Sequence, residues 1–77
     1  MKTYRIWSRV SAIKDAGPYL CVAVAIPEHT HDGEQSEAES RVLSSRDHAH
    51  EMCAGMAIAM AERIRKRGDQ VTLIESV

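Results

Sequence analysis

Hydrophobic residues recur at intervals of three and four between residues 45 and 68, and this spacing predicts one long amphipathic helix. Ser45 is suited to cap the first backbone amides, and Asp47 places a negative charge where the helix dipole favours it. Basic residues crowd the last turn, and Gly68 is the residue type that commonly ends a helix. The apolar stripe expected to face the core consists of Ala49, Met52, Cys53, Met56, Met60 and Ile64.

Two segments before the helix show the alternation of β-strands, and a turn at Gly17-Pro18 separates them. Residues 3–13 predict a half-buried strand with Tyr4, Ile6, Val10 and Ala12 on one face and Thr3, Arg5, Trp7, Arg9 and Ser11 on the other. Residues 19–26 are the most apolar segment and predict a central strand. We expect the larger side chains of this strand to face the helix (Leu20, Val22, Val24 and Ile26) and the others to face away (Tyr19, Cys21, Ala23 and Ala25).

The rest of the chain supplies a loop and two further candidate strands. Residues 39–43 are compatible with a short third strand carried by Val42 and Leu43, although the pattern leaves its existence open. Residues 70–77 are rich in β-branched side chains and predict a last strand. Residues 28–38 are polar and acidic and offer no apolar anchor, so we expect a flexible acidic loop there.

The order of elements, β-β-(β)-α-β, predicts a single α+β domain spanning residues 1–77. With the third strand in place, a right-handed crossover through the helix sets the last strand beside the first and parallel to it. We therefore expect a mixed, mainly antiparallel sheet of strand order 3-2-1-4, with the helix packed on one face. Cys21 and Cys53 would then lie on opposite sides of the sheet, too far apart for a disulfide bond.

Composition narrows the class of protein. A chain of 77 residues with one Trp, two Tyr and no Phe has a small core, and domains of this size often gain stability by self-association. The net charge of −1 argues against a globally basic nucleic-acid binder. No apolar run is long enough to span a membrane, and no export signal opens the sequence. Two cysteines without such a signal favour free thiols and a cytoplasmic location.

Histidine and cysteine side chains provide a candidate site for zinc or another soft divalent metal. The candidate ligands are His29, His31, His50 and Cys53. Helical geometry weakens this hypothesis, because His48 and His50 are two residues apart and point to different sides of the helix. Cys53 also belongs to the stripe that faces the core. Metal binding is therefore the second interpretation, and no other cofactor is predicted.

Asp47, His50 and Cys53 imitate a Cys-His-Asp triad at helical spacing. A catalytic thiol needs exposure and a separate oxyanion donor, whereas Cys53 is expected to be buried. The sequence contains no glycine-rich phosphate loop, nucleophile elbow or paired-carboxylate cleft. We therefore expect no enzymatic activity.

Two predicted surfaces have the composition of contact sites. Arg5, Trp7 and Arg9 share the outer face of the first strand. Such a group can stack a nucleic-acid base between cations, but the net charge and the lack of a second stacking aromatic favour a protein interface. The second surface lies on the back of the helix and consists of Ala54, Gly55, Ile58 and Ala61. Either surface is a candidate for self-association.

The element order, with Pro27 and Glu28 after the second strand, is similar to the truncated ribonuclease-H-like modules of HicB-type antitoxins. The Pro-Gly-Cys stretch that such antitoxins often carry is missing here. The resemblance implies a protein that masks a toxin or binds nucleic acid, and it rests on fold-level analogy. We first expect a homodimeric interaction module that acts by protein contact, then a metal binder, and thirdly an antitoxin-like protein.

Overall fold

Four strands and one helix follow one another in the computed structural model, which describes residues 1–28 and 36–77. They are β1 (Thr3–Ala12), β2 (Tyr19–Pro27), β3 (Glu37–Leu43), α1 (Arg46–Lys66) and β4 (Gln70–Ser76). The third strand, which the pattern left open, therefore exists and begins two residues earlier than residue 39. The remaining elements lie within one residue of their predicted bounds, apart from the C-terminal end of α1, which falls two residues before Gly68.

The sheet has the predicted strand order, β3-β2-β1-β4. β2 pairs antiparallel with both β1 and β3, whereas β4 pairs parallel with β1. A parallel pair requires a crossover connection, and α1 supplies it across one face of the sheet. The small α+β fold with a mixed, mainly antiparallel sheet is thus confirmed.

Ser45 and Gly68 begin and end the helix as predicted. Ser45 has an extended backbone (φ −115°, ψ 138°), and its hydroxyl accepts a hydrogen bond from the His48 N–H over 3.4 Å. Gly68 has φ +93°, and its N–H donates to the Arg65 carbonyl over 3.0 Å. Because side chains are strained at this φ, a glycine is the suitable residue here.

The buried side of α1 is rotated slightly from the predicted stripe. Met52 is 38% exposed, so its assignment to the core was wrong, whereas Ala57 and Ala61 are buried. Small side chains at these two positions let the helix backbone approach the sheet. The buried helical residues are Ala49, Cys53, Met56, Ala57, Met60, Ala61 and Ile64.

The faces of β1 are as predicted, but those of β2 are reversed. Tyr4 and Ile6 of β1 are buried beneath the helix, as expected. On β2, however, the small residues Cys21, Ala23 and Ala25 are fully buried there. The larger residues Leu20, Val22, Val24 and Ile26 lie on the opposite face. The sequence could not decide this, because both faces of β2 are apolar and residue size was the wrong criterion: the large Met and Ile side chains of α1 need small partners on the sheet.

The prediction of a flexible loop over residues 28–38 can be judged only at its ends, because residues 29–35 lie outside the described part of the chain. The Glu28 N–H donates to the Thr3 carbonyl over 2.7 Å, and the Thr72 hydroxyl donates to the Glu28 carboxylate over 2.8 Å. Glu37 and Ala38 belong to β3, so the predicted loop was too long. These two residues pair with β2, an interaction that the acidic composition of the segment did not indicate.

Two ion pairs connect the last turns of α1 to β3. Arg63 pairs with Glu39, and Arg67 pairs with Glu37. Arg67 also donates to Asp69 over 3.1 Å, and its guanidinium lies 5.1 Å from the centre of the Tyr4 ring. The basic cluster at the helix end therefore also joins the helix to the edge of the sheet.

No helix in residues 1–28 and 36–77 is long and apolar enough to cross a membrane.

Candidate interaction surface

The helix covers one face of the sheet, and we call the opposite face the open face. In the part of the chain that the structure describes, α1 is the only element that packs against the strands from outside the sheet. The pairing register places residues of all four strands on the open face, among them Arg5, Trp7 and Arg9 from β1, Leu20, Val22, Val24 and Ile26 from β2, Val42 from β3, and Leu73 and Glu75 from β4. The small or polar residues Ser11, Ala38 and Ser40 lie on this face as well.

The centre of the open face is aliphatic. Val22 and Val24 are half-buried between neighbouring strands, whereas Val42 is 61% exposed, Leu73 41% and Ile26 39%. The aliphatic side chains follow β2, and Val42 of β3 extends them because it lies opposite Leu20. Leu73 of β4 lies opposite Arg5, so β1 separates it from β2. An exposed apolar patch on a folded domain is a candidate binding surface.

Trp7 lies beside the aliphatic centre, opposite Val24 of β2 and Glu75 of β4. A shallow groove of about 130 Å³ beside it is lined by Arg5, Ile6, Trp7, Ile26 and Glu75. Trp7 is half-buried, and Arg5 and Arg9 are exposed on either side of it. The structure thus brings these three predicted residues onto one surface and adds an aliphatic area that sequence reasoning assigned to the core.

The second predicted surface, on the back of the helix, is smaller than expected. Ile58 is 55% exposed, and Ala54 and Gly55 are exposed beside it. Ala61 is only 1% exposed and packs in the core, so its assignment to this surface was wrong. The helix turns Ala61 toward the sheet because the buried stripe is centred nearer Ala57 than the sequence suggested.

A groove of about 340 Å³ lies between the start of the helix and the end of β3. It is lined by Leu43, His48, Glu51, Met52 and Gly55. The sequence missed this groove because Met52 was assigned to the core. Its lining is mainly apolar, and His48 and Glu51 are its polar members.

The predicted metal ligands are not brought together by the residues that the structure describes. His29 and His31 fall among residues 29–35, which are not described. His50 is exposed on α1, whereas Cys53 is buried and its thiol donates to the Arg9 carbonyl over 3.3 Å and the Val22 carbonyl over 3.5 Å. Within residues 1–28 and 36–77 no group of three His, Cys, Asp or Glu side chains is arranged to hold a metal ion.

The two cysteines lie on the same side of the sheet, which contradicts the predicted separation. Both are buried free thiols. The Cys21 thiol lies 3.4 Å from the Met56 sulfur and next to the Cys53 thiol. Burial, and then the neighbouring Cys53 thiol, raise the pKa of Cys21 to about 12. Cys21 is therefore protonated at neutral pH and lacks the low pKa of a catalytic nucleophile.

The sheet order agrees with the order predicted from the sequence of elements, and Pro27 closes β2 ahead of Glu28. This agreement concerns the fold, and a fold of this kind serves many functions. Comparison with known proteins found no matching family model, no matching curated protein and no matching solved structure.

Proposed function

We propose that this protein is a small interaction module that acts by protein contact and pairs with a second copy of itself through the open face. One observation carries the proposal: β2 is apolar on both faces. Its small residues are covered by α1, but its four larger residues are covered by no other described element. A strand with two apolar faces is typical of sheets that are covered on both sides.

The size of the open face supports a weak dimer. Its shorter strands have seven residues, so at about 3.3 Å per residue and about 4.8 Å between strands the face measures roughly 23 Å by 19 Å. Two such faces in contact would bury roughly 900 Å² in projection, close to the lower limit of about 1,000 Å² for specific interfaces. We therefore expect a weak dimer that forms only at high protein concentration.

The charges at the edge of the aliphatic centre are compatible with a two-fold arrangement. Arg5 and Arg9 lie on β1, and Glu75 lies on the neighbouring strand β4. In an isologous dimer a residue of one copy faces a different residue of the other. The arginines of one protomer can then lie near Glu75 of its partner, while the aliphatic centres stack.

Sedimentation velocity over micromolar to millimolar concentrations tests the pairing directly. Trp7 is the only tryptophan and lies on the open face. Its fluorescence should therefore move to shorter wavelength as the dimer forms and the ring leaves water. We expect both signals to change over the same concentration range.

Two matched variants identify the surface that pairs. Val42→Glu places a carboxylate on the open face, and Ile58→Glu places one on the back of the helix. Both side chains are more than half exposed, so neither change should alter monomer stability by more than about 0.5 kcal/mol. We expect Val42→Glu to abolish the dimer and Ile58→Glu to leave it intact. The reverse result would assign pairing to the helix, and a monomer at every concentration would refute the homodimer.

The antitoxin-like function is a second candidate, supported by the sheet order. In that case the open face would cover a different protein, such as a toxin, and the isolated chain would be monomeric. A toxin-like gene adjacent to that of this protein, together with loss of complex formation in Val42→Glu, would favour it. For either function we propose a cytoplasmic location, which two free thiols support.

A further inference from the structure

We propose that three sulfur atoms buried between α1 and β2 form a binding site for a soft monovalent metal ion, Cu(I). The ligands would be the thiolates of Cys21 and Cys53 and the thioether of Met56. This site is independent of the open face, because it lies on the other side of the sheet. It also differs from the histidine-based site considered from the sequence, which shares only Cys53 with it.

The fold brings the three sulfurs together. Cys53 and Met56 are three residues apart on α1, so they share one side of the helix. Cys21 lies on the β2 face that this side covers, with its sulfur 3.4 Å from that of Met56 and its thiol next to that of Cys53. All three residues are at most 6% exposed. The reversed faces of β2 create this cluster, since the predicted arrangement would have put the sheet between the cysteines.

The set of donors selects the metal. Thiolate and thioether ligands favour Cu(I), whereas a structural zinc site uses four nitrogen, sulfur or oxygen ligands in a tetrahedron. In residues 1–28 and 36–77 no third His, Cys, Asp or Glu joins the two cysteines. Cu(I) accepts low coordination numbers with soft ligands, so two thiolates and one thioether are sufficient for it.

The binding step balances without oxidation or reduction. Cu(I) displaces one proton from each thiol and forms two copper–thiolate bonds, while the neutral Met56 sulfur donates a lone pair. The two protons are released to solvent. Because burial raises the pKa of Cys21, removing its proton costs free energy, which the copper–thiolate bonds must offset. The resulting site carries one negative charge. Arg41 of β3 lies opposite Cys21 of β2 in the strand pairing, and its positive charge offsets the charge of the site.

Competition with a colorimetric Cu(I) chelator, bicinchoninate, tests the site under anaerobic, reducing conditions. We expect the chain to remove one equivalent of Cu(I) from the chelator. Cys21→Ala should weaken binding by at least roughly a hundredfold, and Met56→Leu by roughly tenfold. Met56→Leu should retain cooperative thermal unfolding because it conserves the volume of the side chain. The matched control is Met60→Leu, which removes a buried thioether one turn further along α1 and should leave the affinity unchanged.

A second measurement separates this site from surface binding. In a chain labelled with ¹³C at the methionine methyl groups, one equivalent of Ag(I), a redox-stable substitute for Cu(I), should shift the Met56 signal and leave that of Met52 in place. The combined variant His48→Asn and His50→Gln should bind as the parent does. No transfer from the chelator, equal affinity in Cys21→Ala, or loss of binding in the histidine variant would each overturn the proposal.

Discussion

Met56→Asp is the most demanding test of the core, because Met56 lies at the middle of the buried side of α1 and is 6% exposed. Removing a buried methionine side chain costs about 2–5 kcal/mol. A carboxylate left unpaired in its place adds several kcal/mol of desolvation. A domain of 77 residues has a total stability of about 4–12 kcal/mol. We therefore expect the variant to be largely unfolded at neutral pH.

Acidification should partly restore the fold of this variant. Burial disfavours the charged form and raises the pKa of the introduced carboxyl above its unfolded value of about 4. The folded state then binds the proton more tightly than the unfolded state does. Stability is consequently recovered below the unfolded pKa and is lost as the pH rises through the higher folded pKa.

Urea unfolding followed by helical circular dichroism at several pH values measures both effects. Two controls use the same helix: Met56→Leu, which conserves volume and should cost less than about 1.5 kcal/mol, and Ile58→Asp at an exposed position, which should change stability by no more than about 0.5 kcal/mol. A cooperative urea transition for Met56→Asp with a midpoint close to that of the parent, or equal losses in Met56→Asp and Ile58→Asp, would show that the buried side of α1 is wrongly assigned.

The remaining predictions concern two glycines and the ion pair between Arg67 and Glu37. Gly55→Ala should stabilise the chain by about 0.5–1 kcal/mol, because Gly55 is in a helix and an added methyl group meets no atom within 4 Å. In Gly68→Ala the added methyl group also meets no atom within 4 Å, but the φ of +93° should make the substitution destabilising by about 1 kcal/mol. Thermal unfolding of both variants distinguishes backbone strain from steric crowding. Arg67→Ala should cost about 1 kcal/mol or less, since the pair with Glu37 is solvent-exposed, and molar salt should reduce the effect. The Arg67 hydrogen bond lowers the pKa of Glu37 in the folded state. The stability that this ion pair contributes is therefore present above the pKa of Glu37 in the unfolded chain, and it should disappear as the pH falls through the lower pKa of the folded state. Denaturant titrations near pH 3 and pH 6 would detect the loss.

The sequence by itself determined α1, β1, β2 and β4 and their order, but it left β3 open. The residues at the helix ends, Ser45 and Gly68, act locally, because a hydroxyl cap and a positive φ depend on the adjacent backbone. Alternation settled the faces of β1, where polar and apolar side chains alternate clearly. The strand order followed from chain direction and the crossover rule, which need no knowledge of side-chain packing.

Only the tertiary structure decided which face of β2 meets the helix. A strand that is apolar at every position carries no alternating signal, and the outcome depends on how the bulky residues of α1 fit against it. Cys21, Ala23 and Ala25 leave the space that Met56, Met60 and Ile64 fill. The orientation of β2 also determines where both candidate sites lie. It places the larger aliphatic residues of β2 on the open face, and it places Cys21 beside Cys53 and Met56, because side chains on one strand alternate and reversing one residue reverses them all.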